Sequence, residues 1–257
     1  MSESNKDSAS NRLFNAFFGK AEPPMPDLPP VTLRPLAQMM RNLLNVTESD
    51  WGRYSFAREP LNGKFNDEDR ARLTRGANEC GRTYAKKLKT EYGTDNPTEL
   101  AEKMGMNVEY PDMPKSLLRV LFAEYKPKNN IYLYMDAVHK AAGWLNQEDI
   151  REVMGDSLDI KNLLLGHELF HHVEELYKKE IYTHTEKVEL WAPPLMHNRS
   201  SIACLGEIAA MEFTKQLNHL PYSPFLMDVY LVYGYSQETA CRIYEEIMEI
   251  AGLDPDA

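Results

Sequence analysis

Cysteine is scarce in this sequence, with three residues in a chain of 257. Cys80, Cys204 and Cys241 are far apart and odd in number, which fits neither a disulfide framework nor a zinc ribbon. The sequence therefore excludes the small disulfide-stapled classes, and it predicts a protein that works in a reducing compartment.

Long apolar runs are also lacking. The start of the chain, MSESNKDSASNRLFNAFFGK, has a polar first half followed by a short apolar run. Such a segment has the features of neither a signal peptide nor a membrane span. We expect a cytoplasmic protein that does not contact a membrane.

Positive charge is in deficit, because 29 Lys and Arg face 39 Asp and Glu and give a net charge of -10. Binding to a phosphate backbone requires an excess of basic side chains. The balance argues against direct nucleic-acid binding as the main role and mildly favours a basic or neutral partner.

The composition otherwise suits a globular protein, with 43% hydrophobic residues. The first 30 or so residues are polar and then proline-rich (AEPPMPDLPP), and WGRYSFAREPLNGKFN interrupts a following helical pattern with turn residues. We predict a partly disordered N-terminal extension over residues 1–64 and a folded domain over residues 65–257. The segment from about residue 221 onward is expected to be helical.

The first part of that domain predicts two helices and a small sheet. Asn66 precedes a long helix with one apolar stripe, and Asn96 and Pro97 open a short helix that stops at Gly105 and runs into a strand. The segment LLRVLFAEYKPKNNIYLYMD has two β-rich runs around a turn at residues 126–130, which is typical of a hairpin.

The rest of the domain predicts helices only. Their candidate N-caps are Asn146, then Ser157 or Asp159, then Ser200 or Ser201, and finally Ser236. The resulting order is typical of an α+β fold with a small antiparallel sheet.

The strongest chemical signal is LLLGHELFHHVE, which contains the HExxH pattern His167-Glu168-Leu169-Phe170-His171. Residues four apart on a helix share a face, so both imidazoles can reach one ion while Glu168 lies beside it. Ordinary core or surface histidines are the alternative, but burying such polar groups costs free energy unless they are paired. The pattern predicts a Zn²⁺ site with His167 and His171 as ligands and Glu168 directed toward a bound water.

A zinc site of this kind needs a third protein ligand. Glu174 and Tyr177 stand where the metzincin extension would have Gly and His, so that class is excluded. A glutamate on a later helix is the other common solution, and Glu207 in LGEIAAMEF is well placed for it. Glu212, about one turn further on, is the competing candidate.

Several segments, in order over about residues 70–250, resemble the ImmA/IrrE-type metallopeptidases. PTELAEKMGMNVEY, NNIYLY and VYGYSQETACRI are similar to segments flanking the active site of that family. GHELFHH is similar to its active-site helix, and EIAAMEFTKQL to the helix of its third ligand.

The resemblance implies a zincin-like (minigluzincin) fold with the sheet packed on the HExxH helix. It also implies that His167, His171 and Glu207 bind zinc, that Glu168 is the catalytic base, and that the protein is an endopeptidase. The implied substrate is a helix-turn-helix transcriptional repressor encoded as a separate chain. Met211 stands where the family often has Asn or Asp, so another group must orient the ligand histidine.

Two rival functions belong to other classes. A binding module could keep the zinc scaffold and sequester a partner, as in a toxin and antitoxin pair, although the presence of Glu168 argues against a purely structural site. The C-terminal helices could be a DNA-binding motif, but Gln237 and Arg242 stand there among glutamates.

Other residues are weaker candidates. His184, His197 and Tyr222 could share the charge of the developing oxyanion. Trp191 could cover the cleft. His172 lies about 100° round the helix from His171, where we expect solvent or a neighbouring carboxylate rather than zinc.

Overall fold

The computed structural model describes residues 30–113, 121–191 and 198–257, and they form an α+β fold that is mostly helical. The helices are α1 (Leu36–Leu43), α2 (Glu48–Phe56), α3 (Asp67–Tyr92), α4 (Pro97–Lys103), α5 (Met135–Trp144), α6 (Glu148–Met154), α7 (Ile160–Leu176), α8 (Tyr182–Thr185), α9 (Cys204–Leu217), α10 (Met227–Tyr233) and α11 (Gln237–Ala251). The strands are β1 (Asn107–Glu109), β2 (Ala123–Lys126), β3 (Asn130–Leu133), β4 (Lys187–Trp191) and β5 (Asn198–Ser201). No helix of these residues is long and apolar enough to cross a membrane.

The main sheet has three strands in the order β1-β3-β2. Strands β2 and β3 form the predicted hairpin, and Lys128 and Asn129 in its turn adopt the left-handed conformation that suits tight hairpins. Strand β1 pairs with β3 in parallel, so the expectation of an antiparallel sheet is wrong for this strand. A strand of three residues carries no sequence signal for the direction of its partner.

Several of the N-caps predicted from the sequence are confirmed. Asn66 caps α3, Asn96 caps α4, Asp159 caps α7 and Ser236 caps α11. Pro97 is the first residue of α4, and Gly105 has a positive φ of 69° just beyond that helix.

Two predicted caps and the expectation of helices only after the hairpin are wrong. Gln147 rather than Asn146 precedes α6, and it makes no side-chain cap. Ser200 and Ser201 belong to β5, which pairs antiparallel with β4, and the next helix begins at Cys204. This second pair of strands and helix α5 were not predicted, because their short and mixed patterns lack clear periodicity.

The N-terminal boundary is also wrong for the described residues, because α1 and α2 belong to the main core. Trp51 is 3% exposed, and its ring stacks on Phe225 with centroids 5.7 Å apart. Met39, Met40 and Phe56 have no exposed surface. The predicted disorder in residues 1–29 lies outside the described residues.

Helix α7 lies between the sheet and the other helices. Strands β2 and β3 contact it on one side, and α9 packs against both α7 and α3. Helices α3 and α9 approach closely at Gly81, where a Cβ atom would lie 2.4 Å from the carbonyl oxygen of Ala209. This packing fixes α9 beside α7, and it brings their polar residues to one cleft.

Candidate metal centre

The two histidines of HExxH lie on adjacent turns of α7 and face each other. Their Nε2 atoms are 3.2 Å apart, and both side chains are partly buried. Leu165, Leu169 and Val173 on the same helix are fully buried, so the apolar packing of α7 holds the backbone beneath the imidazoles. The two rings therefore present nitrogen atoms to one point in the cleft.

Glu207 comes to this point from the first turn of α9. Its Oε2 is 3.4 Å from Nε2 of His167, and its Oε1 is 3.8 Å from Nε2 of His171. Together with His167 and His171 it forms the group of His, Cys, Asp and Glu side chains that could hold a metal ion among the described residues.

The spacing of these donor atoms suits zinc. A tetrahedral ion with bonds of about 2.0–2.1 Å has ligand atoms roughly 3.3 Å apart. The measured separations of 3.2, 3.4 and 3.8 Å lie near that value. Two neutral imidazoles and one carboxylate are also a donor set that zinc prefers, and it has room for a fourth ligand.

His171 is oriented by a carboxylate on its own helix. Its Nδ1 atom lies 3.0 Å from Oε2 of Glu174, so an Nδ1 proton donated there leaves the Nε2 lone pair facing the cleft. Glu174 fits beside α9 because residue 206 is glycine: a Cβ atom there would lie 2.9 Å from Oε1 of Glu174. Glu174 therefore has the orienting role that Met211 cannot have.

Charge coupling within the cluster is strong in the metal-free protein. Loss of hydration lowers the pKa of His171, but the hydrogen bond to Glu174 and the charges of Glu207 and Glu168 outweigh it and raise the pKa to about 9. Loss of hydration raises the pKa of Glu207, whereas the hydrogen bond with His167 and the charge of His171 lower it to about 2. The Glu207 side chain is therefore an anionic carboxylate over the whole physiological range.

Glu168 lies beside the cluster in a cleft of about 530 Å³. Its side chain is buried against the protein, and it lines the same cleft as the two histidines and Glu207. Residues 121–125, in and just before β2, form another wall of the cleft. This carboxylate is thus placed next to the point at which the three donors meet.

Glu212, the competing ligand, lies elsewhere. It is 6% exposed, its Oε1 is 3.2 Å from Nη1 of Arg82, and it also accepts a hydrogen bond from Gln216. Glu212 follows Glu207 by five residues, which is more than one full turn of helix α9. Its side chain therefore faces α3 instead of the cleft.

Of the candidates for oxyanion stabilisation, Tyr222 and His184 lie among the described residues, and neither lines the cleft. The Tyr222 hydroxyl donates to the carbonyl of Met154 in the core at 2.9 Å. Nε2 of His184 lies 3.9 Å from Oε1 of Glu174. His197 and the side chain of Trp191 lie outside the described part of the chain.

We expected His172 to meet solvent or a neighbouring carboxylate rather than zinc, and it is instead buried against a tyrosine. It is 8% exposed, and its Nδ1 lies 3.3 Å from the hydroxyl of Tyr125. Burial lowers the pKa of His172, with a smaller opposing effect from Glu175. It thus joins α7 to strand β2 and takes no part in the donor cluster.

Two cleft residues were missed from the sequence. Tyr54 of α2 and Asp228 of α10 line the cleft, and the Tyr54 hydroxyl donates to Asp228 at 2.8 Å. Burial raises the pKa of Asp228 to about 6, against the effects of Tyr54 and Arg58. No local motif marks these residues, whereas Glu174 could have been found from its helical spacing to His171.

Comparisons of this chain with protein-family models, with curated proteins and with solved structures find no match.

Proposed function

We propose that the protein is a zinc metalloendopeptidase of the ImmA/IrrE type with a zincin-like fold. The observation that carries this proposal is the set of three donor atoms from His167, His171 and Glu207 at distances suited to tetrahedral zinc, with Glu168 beside them in one cleft. When bound there, zinc would supply a Lewis acid for a peptide carbonyl and would lower the pKa of water.

Side chains of the protein would have the remaining roles in the reaction. Glu168 takes the proton of the attacking water and passes it to the leaving amine. His167, His171 and Glu207 hold the ion, and Glu174 keeps His171 in the tautomer that binds metal. The apolar wall that Leu163, Leu164 and other cleft residues form restricts water around the reacting groups.

Strand β2 supports a protein or peptide as the substrate. Within the described residues it pairs with β3 alone, and its residues Ala123, Glu124 and Tyr125 line the cleft. An edge strand offers free N–H and C=O groups, to which an extended substrate can add as a further strand. The backbone of the substrate would thereby lie across the donor cluster.

The proposed substrate is a separately encoded helix-turn-helix repressor, cleaved in the cytoplasm. The net charge of -10 is consistent with a basic partner, and it argues against direct binding of nucleic acid by this chain. This part of the proposal rests on the resemblance of the sequence segments, with the cleft as the place where such a chain would enter.

Metal content and cleavage test the proposal in two steps. We expect about one zinc per chain in the purified protein, lost or sharply weakened in His171→Ala and in Glu207→Ala, with Glu212→Gln as the control that retains zinc. Glu168→Gln should retain zinc and abolish cleavage of the repressor encoded nearest to this chain. A wild-type protein that binds no zinc even after reconstitution refutes the metal site, and an intact stable complex with the repressor refutes the peptidase in favour of sequestration.

A further inference from the structure

The carboxylate of Glu59 lies at the start of α9, the helix that carries Glu207. Its Oε2 accepts the backbone N–H of Cys204 at 3.0 Å, and its Oε1 accepts the N–H of Leu61 at 3.1 Å. The side chain is buried, with 5% of Glu59 exposed. Burial, together with the negative charge of Glu59, raises the pKa of the Cys204 thiol.

Helix α9 has no side-chain cap from its own sequence. Ala203 occupies the N-cap position and cannot accept a hydrogen bond through its methyl group. The N–H groups of a first helical turn lack partners within the helix and carry a partial positive charge, so a buried carboxylate placed there is stabilising. Glu59, from 145 residues earlier in the chain, takes the place of the missing cap.

Glu207 lies one turn from this contact. Three residues along a helix correspond to about 4.5 Å along the axis and nearly the same face. Ala203, Cys204 and Glu207 accordingly all line the cleft. Fraying of this first turn would move the Glu207 carboxylate away from His167, from which it is 3.4 Å distant.

We propose that Glu59 is a positioning residue of the metal centre, which holds the first turn of α9 and thereby fixes the carboxylate of Glu207. This inference rests on the proposed function, because it concerns a ligand of the same site. It makes the segment between α2 and α3 part of the metal centre, although none of its residues is a donor.

The test is the zinc dissociation constant of the full-length protein at pH 7, measured by competition with a chelator. We expect Glu59→Ala to weaken zinc binding by about 10- to 100-fold, as is usual for the loss of a group that orients a ligand. Glu59→Gln keeps one of the two acceptor oxygens, so this variant should lose less zinc affinity than Glu59→Ala. Asn66→Ala removes the cap of α3 in the same manner, so it should lower the melting temperature and leave the zinc affinity unchanged.

The possible outcomes separate clearly. Wild-type zinc affinity in a folded Glu59→Ala protein overturns the positioning role. If that variant does not fold, Glu59→Gln decides: weakening by about threefold or more, the effect of one lost hydrogen bond, supports the role and unchanged affinity overturns it. A wild-type protein that binds no zinc overturns the proposed function first, so this failure is distinguishable from failure of the positioning role alone.

Discussion

The Nδ1 atom of His171 lies 3.0 Å from Oε2 of Glu174, which is three residues further along the same helix. This contact selects the tautomer whose Nε2 lone pair faces His167 and Glu207. The contact lies within one helix, and the absence of a side chain at Gly206 on the facing helix leaves the space that the carboxylate occupies. It therefore orients the ring before metal binds, although zinc must still displace the second ring proton that His171 carries below about pH 9.

Glu174→Gln should weaken zinc binding by about 10- to 100-fold, because the neutral amide is a poorer acceptor for the imidazole proton than a carboxylate. The zinc dissociation constant, measured by chelator competition at about pH 9, checks this expectation, because at lower pH the reduced proton competition at His171 in the variant would offset the loss. Glu175→Gln, at the adjacent and more exposed position, is the control and should bind zinc like the wild type. Equal affinities of the two variants would contradict the orienting role.

Gly206→Ala, on the facing helix α9, should also disturb the contact between Glu174 and His171. The new Cβ atom would lie 2.9 Å from Oε1 of Glu174, and the carboxylate can relieve the clash by turning away. The protein should stay folded, since alanine favours a helix over glycine by about 1 kcal/mol, but zinc binding should weaken. Gly143→Ala is the matched control, because a Cβ atom there meets nothing within 4 Å. Unchanged zinc affinity in Gly206→Ala would show that Glu174 does not need its observed position.

The sequence predicted what depends on short-range spacing. His167 and His171 face one point because they stand one turn apart, and Glu207 follows on the next long helix. Glu59 and Tyr54 could not be found in this manner, because each meets its partner across more than 140 residues and lies in a segment rich in turn signals. The prediction that residues 1–64 form an extension failed at α2 for the same reason. Trp51 lies in the core because it packs on Phe225, and no local pattern indicates that contact.

Zinc binding should strengthen as the pH rises toward 9. In the metal-free protein the hydrogen bond to Glu174 and nearby carboxylates outweigh the effect of burial and raise the pKa of His171 to about 9, so at lower pH zinc must displace a proton from this ring. Glu207 is already ionised, with a pKa of about 2. The apparent affinity should therefore increase by up to about tenfold per pH unit and level off near pH 9.

Calorimetry of zinc binding in buffers with different ionisation enthalpies measures the released proton directly. Close to one proton per zinc from His171 is expected at pH 7. In Glu174→Gln the pKa of His171 should fall, since the main interaction that raises it is lost, and fewer protons should be released at the same pH. Proton release that is zero in the wild type at pH 7 would contradict this account.

Glu212→Ala and Glu207→Ala should differ in their effect on zinc binding. Removal of the buried Glu212 takes away the carboxylate oxygen to which Arg82 and Gln216 both donate, and should lower the free energy of unfolding by about 1–3 kcal/mol with little effect on zinc. Removal of Glu207 should abolish tight zinc binding, whatever the free energy of unfolding of the metal-free variant. Denaturant unfolding of the metal-free proteins, together with zinc affinities, checks both expectations. Loss of zinc binding in folded Glu212→Ala would restore that residue as the ligand.

Trp51→Ala tests whether helix α2 belongs to the folded core. The indole is 3% exposed, stacks on Phe225 and contacts Tyr54 edge to face with centroids 5.7 Å apart. Replacement by alanine leaves a cavity, and we expect the free energy of unfolding to fall by about 3–5 kcal/mol in urea titrations of the metal-free protein. Leu33→Ala is the control: this residue is 61% exposed, and its replacement should change the stability by less than about 0.5 kcal/mol. A separate N-terminal extension would predict equally small effects for both variants, whereas a core that includes α2 predicts a large loss for Trp51 alone.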